Sequence, residues 1–371
     1  MIIGSAYHKY IEEIELEIRF GDEYKQYKKN TPFIIPKYFI FLHLKDYIMK
    51  KNCIFLLVVI SFLGNQMAWA DVPQTEITNG LITAKLYLPD AEKGYYRGSR
   101  FDWAGVIPEL KYNGHDYFGQ WFPIYDPKLH DAICGPTDEF FEIGYDQAPV
   151  GGEFVRIGIG GLRKPAEDRF ERFGYYELSN PGKWTVKKAK DYVVFTHQLK
   201  DVAGYSSTYE KKVRLVKGKP QMVLEYKLKN TGKKAIQTVV YNHNFFTIDH
   251  QPTGPNSVVK FAFPIKITKE SPLAKINGQQ IEYLRELVPP ETVSFVDIQG
   301  LRNSVKDYDF RIENMKTGAG VRITGDKPVS RIIYWSSATT QCPEPYIDVN
   351  IQPGETFSWN ITYDFYTFGT Q

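Results

Sequence analysis

The stretch Tyr241-Asn242-His243-Asn244-Phe245-Phe246-Thr247-Ile248-Asp249 sets one histidine among aromatic side chains, with a carboxylate six residues later. Imidazole is the side chain whose ordinary pKa lets it give or take a proton near neutral pH. Flat aromatic rings beside it are what a sugar-binding cleft uses, because the C–H faces of a pyranose pack on apolar planes. A half-buried histidine at a strand end, hydrogen-bonded to backbone, uses the same residue types. The nonapeptide alone leaves both readings open.

Four other stretches carry groups able to do chemistry. In Tyr96-Arg97-Gly98-Ser99-Arg100-Phe101-Asp102-Trp103, Arg97 and Arg100 flank Gly-Ser and can fork onto neighbouring hydroxyls or a carboxylate. The competing reading is a surface turn whose arginine pairs with Asp102. Leu129-His130-Asp131-Ala132-Ile133-Cys134-Gly135-Pro136-Thr137-Asp138-Glu139-Phe140 gathers His130 and several carboxylates beside a Gly-Pro turn, either a polar site or a solvated loop. In Thr340-Gln341-Cys342-Pro343-Glu344-Pro345-Tyr346 two prolines restrict the backbone around Glu344, so the carboxylate is presented rigidly, as a general base requires. An exposed turn glutamate fits that sequence as well. Asp249-His250-Gln251-Pro252-Thr253-Gly254-Pro255 reads as a loop in which Asp249 orients the site or binds a hydroxyl. Tyr241 and Trp335 are the candidate aromatic walls.

Other chemistries lack their signatures. The sequence has no Gly-rich phosphate loop, no HExxH pair, no CxxC and no G-x-S-x-G elbow, and nothing in it calls for a metal or a cofactor.

The elements that must position these groups are strands. Strand signals, some of them alternating and others rich in Ile, Val and Thr, recur over 81–88, 155–159, 192–199, 207–216, 221–228, 235–241, 257–263, 292–296, 308–313, 320–324, 330–335, 346–351 and 356–366. Turn clusters such as Asn180-Pro181-Gly182 and Lys217-Gly218-Lys219-Pro220 separate them. Many short strands with turn chemistry between them predict an all-β sandwich or barrel. Residues 210–215 and 223–228 form a predicted hairpin whose charges mark one solvated face. A helix is expected only near 281–287. Aromatic residues make up 15% of the chain and many fall at bends, which suits a groove that stacks on carbohydrate.

The first 70 of the 371 residues read differently. Met49-Lys50-Lys51, the apolar run Cys53 to Leu63 and Ala68-Trp69-Ala70 are the three parts of a secretory signal peptide, with cleavage expected before Asp71. A spanning helix needs on the order of 20 apolar residues, more than this run supplies. Residues 1–48 then read as an artefactual extension of the reading frame, 49–70 as the signal, and 71–371 as one domain, periplasmic or secreted. That domain is close to electroneutral, so there is no electrostatic case for nucleic acid or a membrane surface as partner. Export permits, without requiring, a disulfide between Cys134 and Cys342.

These segments together resemble the galactose mutarotase-like proteins, the aldose 1-epimerases and their relatives. Asn242-His243-Asn244-Phe245-Phe246 is similar to the family's Asn-His-x-(Tyr/Phe)-Phe segment, and Glu344-Pro345 to the late Glu-Pro segment of some branches. Residues 353–359 with Tyr363-Asp364-Phe365 resemble its last strands, and Leu129-His130 its Leu-His-Gly-Gly segment. The resemblance covers most of residues 75–368 and implies a large antiparallel β-supersandwich. It also implies His243 as general acid, Glu344 as general base, and a substrate-binding arginine in the Arg97/Arg100 segment. The chain departs from the family at Arg97-Gly-Ser-Arg100, where an Asn-Arg pair is usual, and at Thr339, where a Glu-Thr-Gln form has its glutamate.

Three functions follow as expectations. A mutarotase would interconvert the anomers of a monosaccharide or glycan end without a cofactor, with Glu344 and His243 about a sugar ring apart across a concave surface. Its pH–rate profile would take its base limb from Glu344 and its acid limb from His243. A non-catalytic carbohydrate-binding protein would keep the aromatics but would not need those two residues to face one another. A lyase or hydrolase would show a second carboxylate, Glu139, or a Tyr/Arg pair at bonding distance.

Overall fold

Period-two patterning builds most of the molecule. Along Tyr205–Leu215 every second side chain is buried, and the strand pairs antiparallel with Gln221–Asn230, Glu210 opposite Lys227 and Lys212 opposite Glu225. The predicted hairpin is there, with one correction. Glu210, Lys212 and Arg214 lie on the wetter face, but Lys211 shares the parity of Val213 and Leu215 and is fully buried.

The computed structural model describes residues 72–369; the expectations for residues 1–70 lie outside them. The described residues form antiparallel sheets, and their only helical turns are the 3-10 turns Ile248–His250 and Val305–Asp307. The helix expected near 281–287 is instead the strand Gln280–Tyr283. There Ile281 and Tyr283 point inward on alternate positions, which satisfies a period of two better than one of 3.6. The strand expected over 155–159 is split into the hairpin Glu153–Arg156 and Gly160–Arg163. Its turn includes Gly158 at φ 78°, where a Cβ would come within 2.4 Å of Asp102 Oδ1.

Two sheets position the site. A ten-stranded sheet runs from Ala274–Asn277 at one edge through Thr356–Thr367 and Gln221–Asn230 to Lys183–Lys188 at the other. A five-stranded sheet has the order Thr292–Phe295, Arg331–Ser337, Thr340–Ile351, Ile236–Phe245, Gly135–Phe140. The main core lies between them, with Val240, Ile347 and Val349 of the smaller sheet and Leu224, Tyr226 and Trp359 of the larger in one apolar cluster. A second cluster covers the other face of the five-stranded sheet. There Tyr241, Phe245, Cys342 and Tyr346 meet Tyr96, Phe101, Trp103 and Tyr176 from the connecting segments. The central strands of this sheet are therefore buried on both faces, and alternation disappears from their sequence.

Polar groups between the sheets are paired rather than left bare. Lys211 Nζ lies 2.7 Å from Asp138 Oδ2 and 3.5 Å from Asp102 Oδ2, and donates to Ala104 O at 3.0 Å. Asp138 also accepts from Tyr226 Oη and Asn242 Nδ2. Burial, set against Lys211, raises Asp102 to about 7. Cys134 and Cys342 are both buried free thiols.

Candidate functional site

The strand carrying His243 does not end at Tyr241, where its alternation ends; it continues to Phe245. Nor is Glu344 on a turn. Thr340–Ile351 is one strand, and Pro343 and Pro345 lie inside it. Its pairing with the His243 strand runs from Ile236/Ile351 to Tyr241/Tyr346 and re-forms in the same register at Phe246/Gln341. In the gap the prolines have no N–H to give, and the Pro343 carbonyl accepts from a side chain, Asn244 Nδ2, at 3.0 Å. The unbroken register sets His243 opposite Glu344, with Thr137 opposite His243 on one side and Ile333 opposite Glu344 on the other.

His243 Nε2 lies 3.3 Å from Glu344 Oε1. The expectation of a sugar ring between them is therefore corrected to direct contact. Chemistry permits this, because the two oxygens of a hemiacetal that exchange protons are bonded to one carbon, so an acid and a base side by side serve both. Above the pair is a cavity of about 240 Å3 walled by Arg100, Asp131, Arg172, Phe173 and Trp335.

The imidazole is enclosed by rings. It stacks on Phe245 at 3.9 Å and meets the Phe101 edge at 5.5 Å, while Trp121 stacks on the far face of Phe245 at 4.8 Å. Burial, reinforced by Arg100, holds His243 well below the ordinary histidine range. Burial also pushes Glu344 up to about 7 against the pull of Arg100 and Arg172. Each shift disfavours the charged form. Both shifts favour a neutral imidazole beside a neutral carboxyl over an ion pair. His243 Nδ1 is buried without a hydrogen-bond partner.

One wall is a guanidinium cluster held from behind. Glu139, with no exposed surface, accepts from Arg100 Nε at 2.8 Å, Arg156 Nη2 at 2.9 Å and Arg172 Nε and Nη2 at 3.0 Å, and from Tyr241 Oη. Burial alone would raise its pKa, but the three arginines hold it well below the usual carboxylate range. Arg100 also bonds Asp131 and Tyr241 Oη, the latter at 3.0 Å, and Arg172 Nη2 reaches Tyr241 Oη at 2.8 Å. The Tyr/Arg contacts expected of a lyase are thus present. Tyr241 and Glu139, however, lie beneath the arginines and do not line the cavity. Burial above all holds the Tyr241 phenol well above its ordinary range.

Of the residues singled out in the sequence, His243, Glu344, Arg100 and Trp335 meet in this cavity, and Tyr241 supports it from below. His130 stands beside it, its ring 5.1 Å from Phe173 and its Nδ1 2.9 Å from Asp131 Oδ2. Arg97 does not reach the cavity; its Nη1 donates to Glu92 O at 2.5 Å and it lines a neighbouring one. Asp249 is also elsewhere, bonded to His115 Nδ1 at 2.9 Å and to the Asp116 amide at 3.0 Å, where it ties a turn to the Asp116 strand. Arg156, Arg172 and Phe173 were missed. Arg156 is a lone charge in the apolar run Phe154-Val155-Arg156-Ile157, and Arg172-Phe173 repeats the Arg169-Phe170 doublet three residues on. Both are signals of charge placed among rings.

No family model matches the chain, and no curated protein does. Solved structures similar to it include an aldose epimerase homologue from C. elegans, at 15% identity and a TM-score of 0.48, covering 80% of this chain and 100% of that one. A galactose mutarotase-like protein from Clostridium acetobutylicum matches at 14% identity and a TM-score of 0.47, covering 81% of this chain and 100% of that one. Galactose 1-epimerase from Lactobacillus acidophilus NCFM matches at 9% identity and a TM-score of 0.42, with 80% and 100% covered.

Proposed function

We propose that the protein interconverts the anomers of a sugar or glycan end by acid–base ring opening at His243 and Glu344. One observation carries the reading: the two groups face one another at 3.3 Å on adjacent strands, at the floor of an aromatic- and arginine-walled cavity. A purely binding protein does not need that contact. In ring opening the Glu344 carboxyl gives its proton to the ring oxygen while His243 takes the proton of the anomeric hydroxyl. The bond from the anomeric carbon to the ring oxygen breaks and the carbonyl forms. After rotation of the aldehyde, the imidazolium returns its proton to the carbonyl oxygen as the ring hydroxyl re-attacks, and its proton goes back to Glu344. The pair starts and ends with one proton, and each transfer contributes on the order of 10²–10⁴ in rate.

Polarimetry or saturation-transfer NMR on fresh α-anomers of hexoses and pentoses tests this. His243→Asn and Glu344→Gln should each slow interconversion by more than tenfold with binding largely kept. The wild-type profile should be bell-shaped, its alkaline limb near 7 where Glu344 loses the working proton and its acid limb below 6.5 where His243 gains a second. If no sugar is accelerated, and one binds equally well to both variants, the protein is a binding member of its fold class. The reading includes export with cleavage before Asp71, tested by N-terminal sequencing of the protein from its native host.

A further inference from the structure

A second cavity, of about 380 Å3, adjoins the first. Three separate segments line both. Arg100 faces the His243 cavity while Arg97, Ser99 and Trp103 face the other; Asp131 faces the first and Lys128 the second; Arg172 and Phe173 face the first and Tyr175 the second. The segments between them are pinned. Ser99 Oγ donates to Gly174 O at 3.2 Å and accepts from the Tyr176 amide at 3.0 Å. From beneath, Arg156 Nη1 donates to Ser99 O at 2.8 Å while its Nη2 holds Glu139. Two cavities sharing so stiff a wall keep a fixed spacing, as successive units of one ligand require.

The lining of the second cavity suits a saccharide unit. Tyr175 is a ring 48% exposed, of the kind that sugar faces cover, with Lys128 Nζ 4.9 Å from its centroid as a donor beside it. Arg97 and Lys128 are balanced by Glu92 and Glu177, so no net charge demands an ionic ligand. Arg97 Nε is buried with no hydrogen-bond partner, a donor waiting for an oxygen.

We infer that this cavity is a second saccharide subsite, and that the ligand is an oligosaccharide whose reducing end enters the His243 cavity. The inference rests on the proposed function for which end lies where. It accounts for Arg97, the binding candidate that the His243 cavity does not contain.

The probes are glucose and galactose with their β-1,2-, β-1,3-, β-1,4- and α-1,4-linked di- to tetrasaccharides, read by calorimetry and saturation-transfer NMR on the full chain. At least one series should bind tenfold or more tighter at two or more units than at one. Tyr175→Ala, an exposed substitution, and Arg97→Gln should each remove at least fivefold of that gain while changing monosaccharide affinity less than twofold. Affinity independent of length in every series, no binding at all, or equal loss for monosaccharide and oligosaccharide in both variants would overturn the inference. Chain-length-dependent binding without any anomer interconversion would overturn the proposed reaction and leave the subsite standing. Interconversion of monosaccharides without a length effect would do the opposite.

Discussion

Replacing Glu344 with Gln should slow interconversion by more than tenfold and yet gain stability relative to wild type as pH rises. Burial moves the Glu344 carboxyl from 4.5 to about 7, which at about 1.4 kcal/mol per pH unit is about 3 kcal/mol. The sign follows from linkage. The folded protein holds this proton more tightly than the unfolded chain, so the group's contribution is fully present below about 4.5 and is lost as pH rises through 7. At pH 9 the wild type carries a buried carboxylate 3.3 Å from a neutral imidazole, and the amide does not. The stability of Glu344→Gln minus that of wild type should therefore rise by about 3 kcal/mol between pH 4.5 and pH 9. His243 titrates in the opposite sense, its contribution falling away as pH drops below 6.5, and it is present in both proteins. Urea unfolding of both proteins at pH 4.5, 7 and 9 reads the difference directly. A difference constant to within about 1 kcal/mol across that range would mean that the carboxyl titrates normally, and the proton placement argued for the pair would be wrong.

Three more outcomes follow from the same contacts. Glu139→Gln leaves Arg156 buried without its counter-charge and Arg100 with Asp131 alone, and should cost about 3–5 kcal/mol in chemical unfolding near neutral pH, a penalty that fades in strong acid where wild-type Glu139 is itself protonated. The neighbours Lys211 and Lys212 should behave oppositely: Lys211→Ala strands Asp102 and Asp138 and should cost about 3–5 kcal/mol, whereas Lys212→Ala breaks a partly exposed pair with Glu225 and a contact over the Tyr192 ring and should cost about 1 kcal/mol or less. Cys134 and Cys342, both buried and with Cys134 pushed by burial up to about 12, should resist alkylation in the native protein and react fully in urea, as peptide mapping will report.

How much of this was legible in the sequence depended on whether a residue's neighbours were local. Edge and hairpin strands such as Tyr205–Leu215 have one wet face, so their period-two pattern announced them. The strands that build the site have two dry faces, so the pattern that identifies a strand vanishes where the chemistry sits. Ile236–Phe245 appeared to stop at Tyr241, and Gly135–Phe140, buried throughout, appeared as a loop. Pro343 and Pro345 misled more directly. Proline inside a strand argues against the strand, because a ladder bond is lost. Here Asn244, a side chain 99 residues away, bonds the Pro343 carbonyl within the interrupted ladder. Nothing near Glu344 in sequence encodes that contact.

The same logic explains which site residues were found. His243, Glu344 and Trp335 sit on strands at positions of one parity, so choosing the right stretch also chose the right face. The arginines do not. Arg97 and Arg100 looked equivalent across Gly-Ser, yet Ser99 fastens the segment to Gly174 and Tyr176 and sends the two side chains into different cavities. Arg172 reaches the pocket from a loop whose place is set by Glu139, a carboxylate that touches no ligand space. The histidine and glutamate carry the proposed chemistry, but their altered proton affinities come from this second layer of rings and guanidinium groups. That layer is assembled by contacts distant in sequence, so a motif can name the two residues of the pair and say nothing of the groups that set their proton affinities.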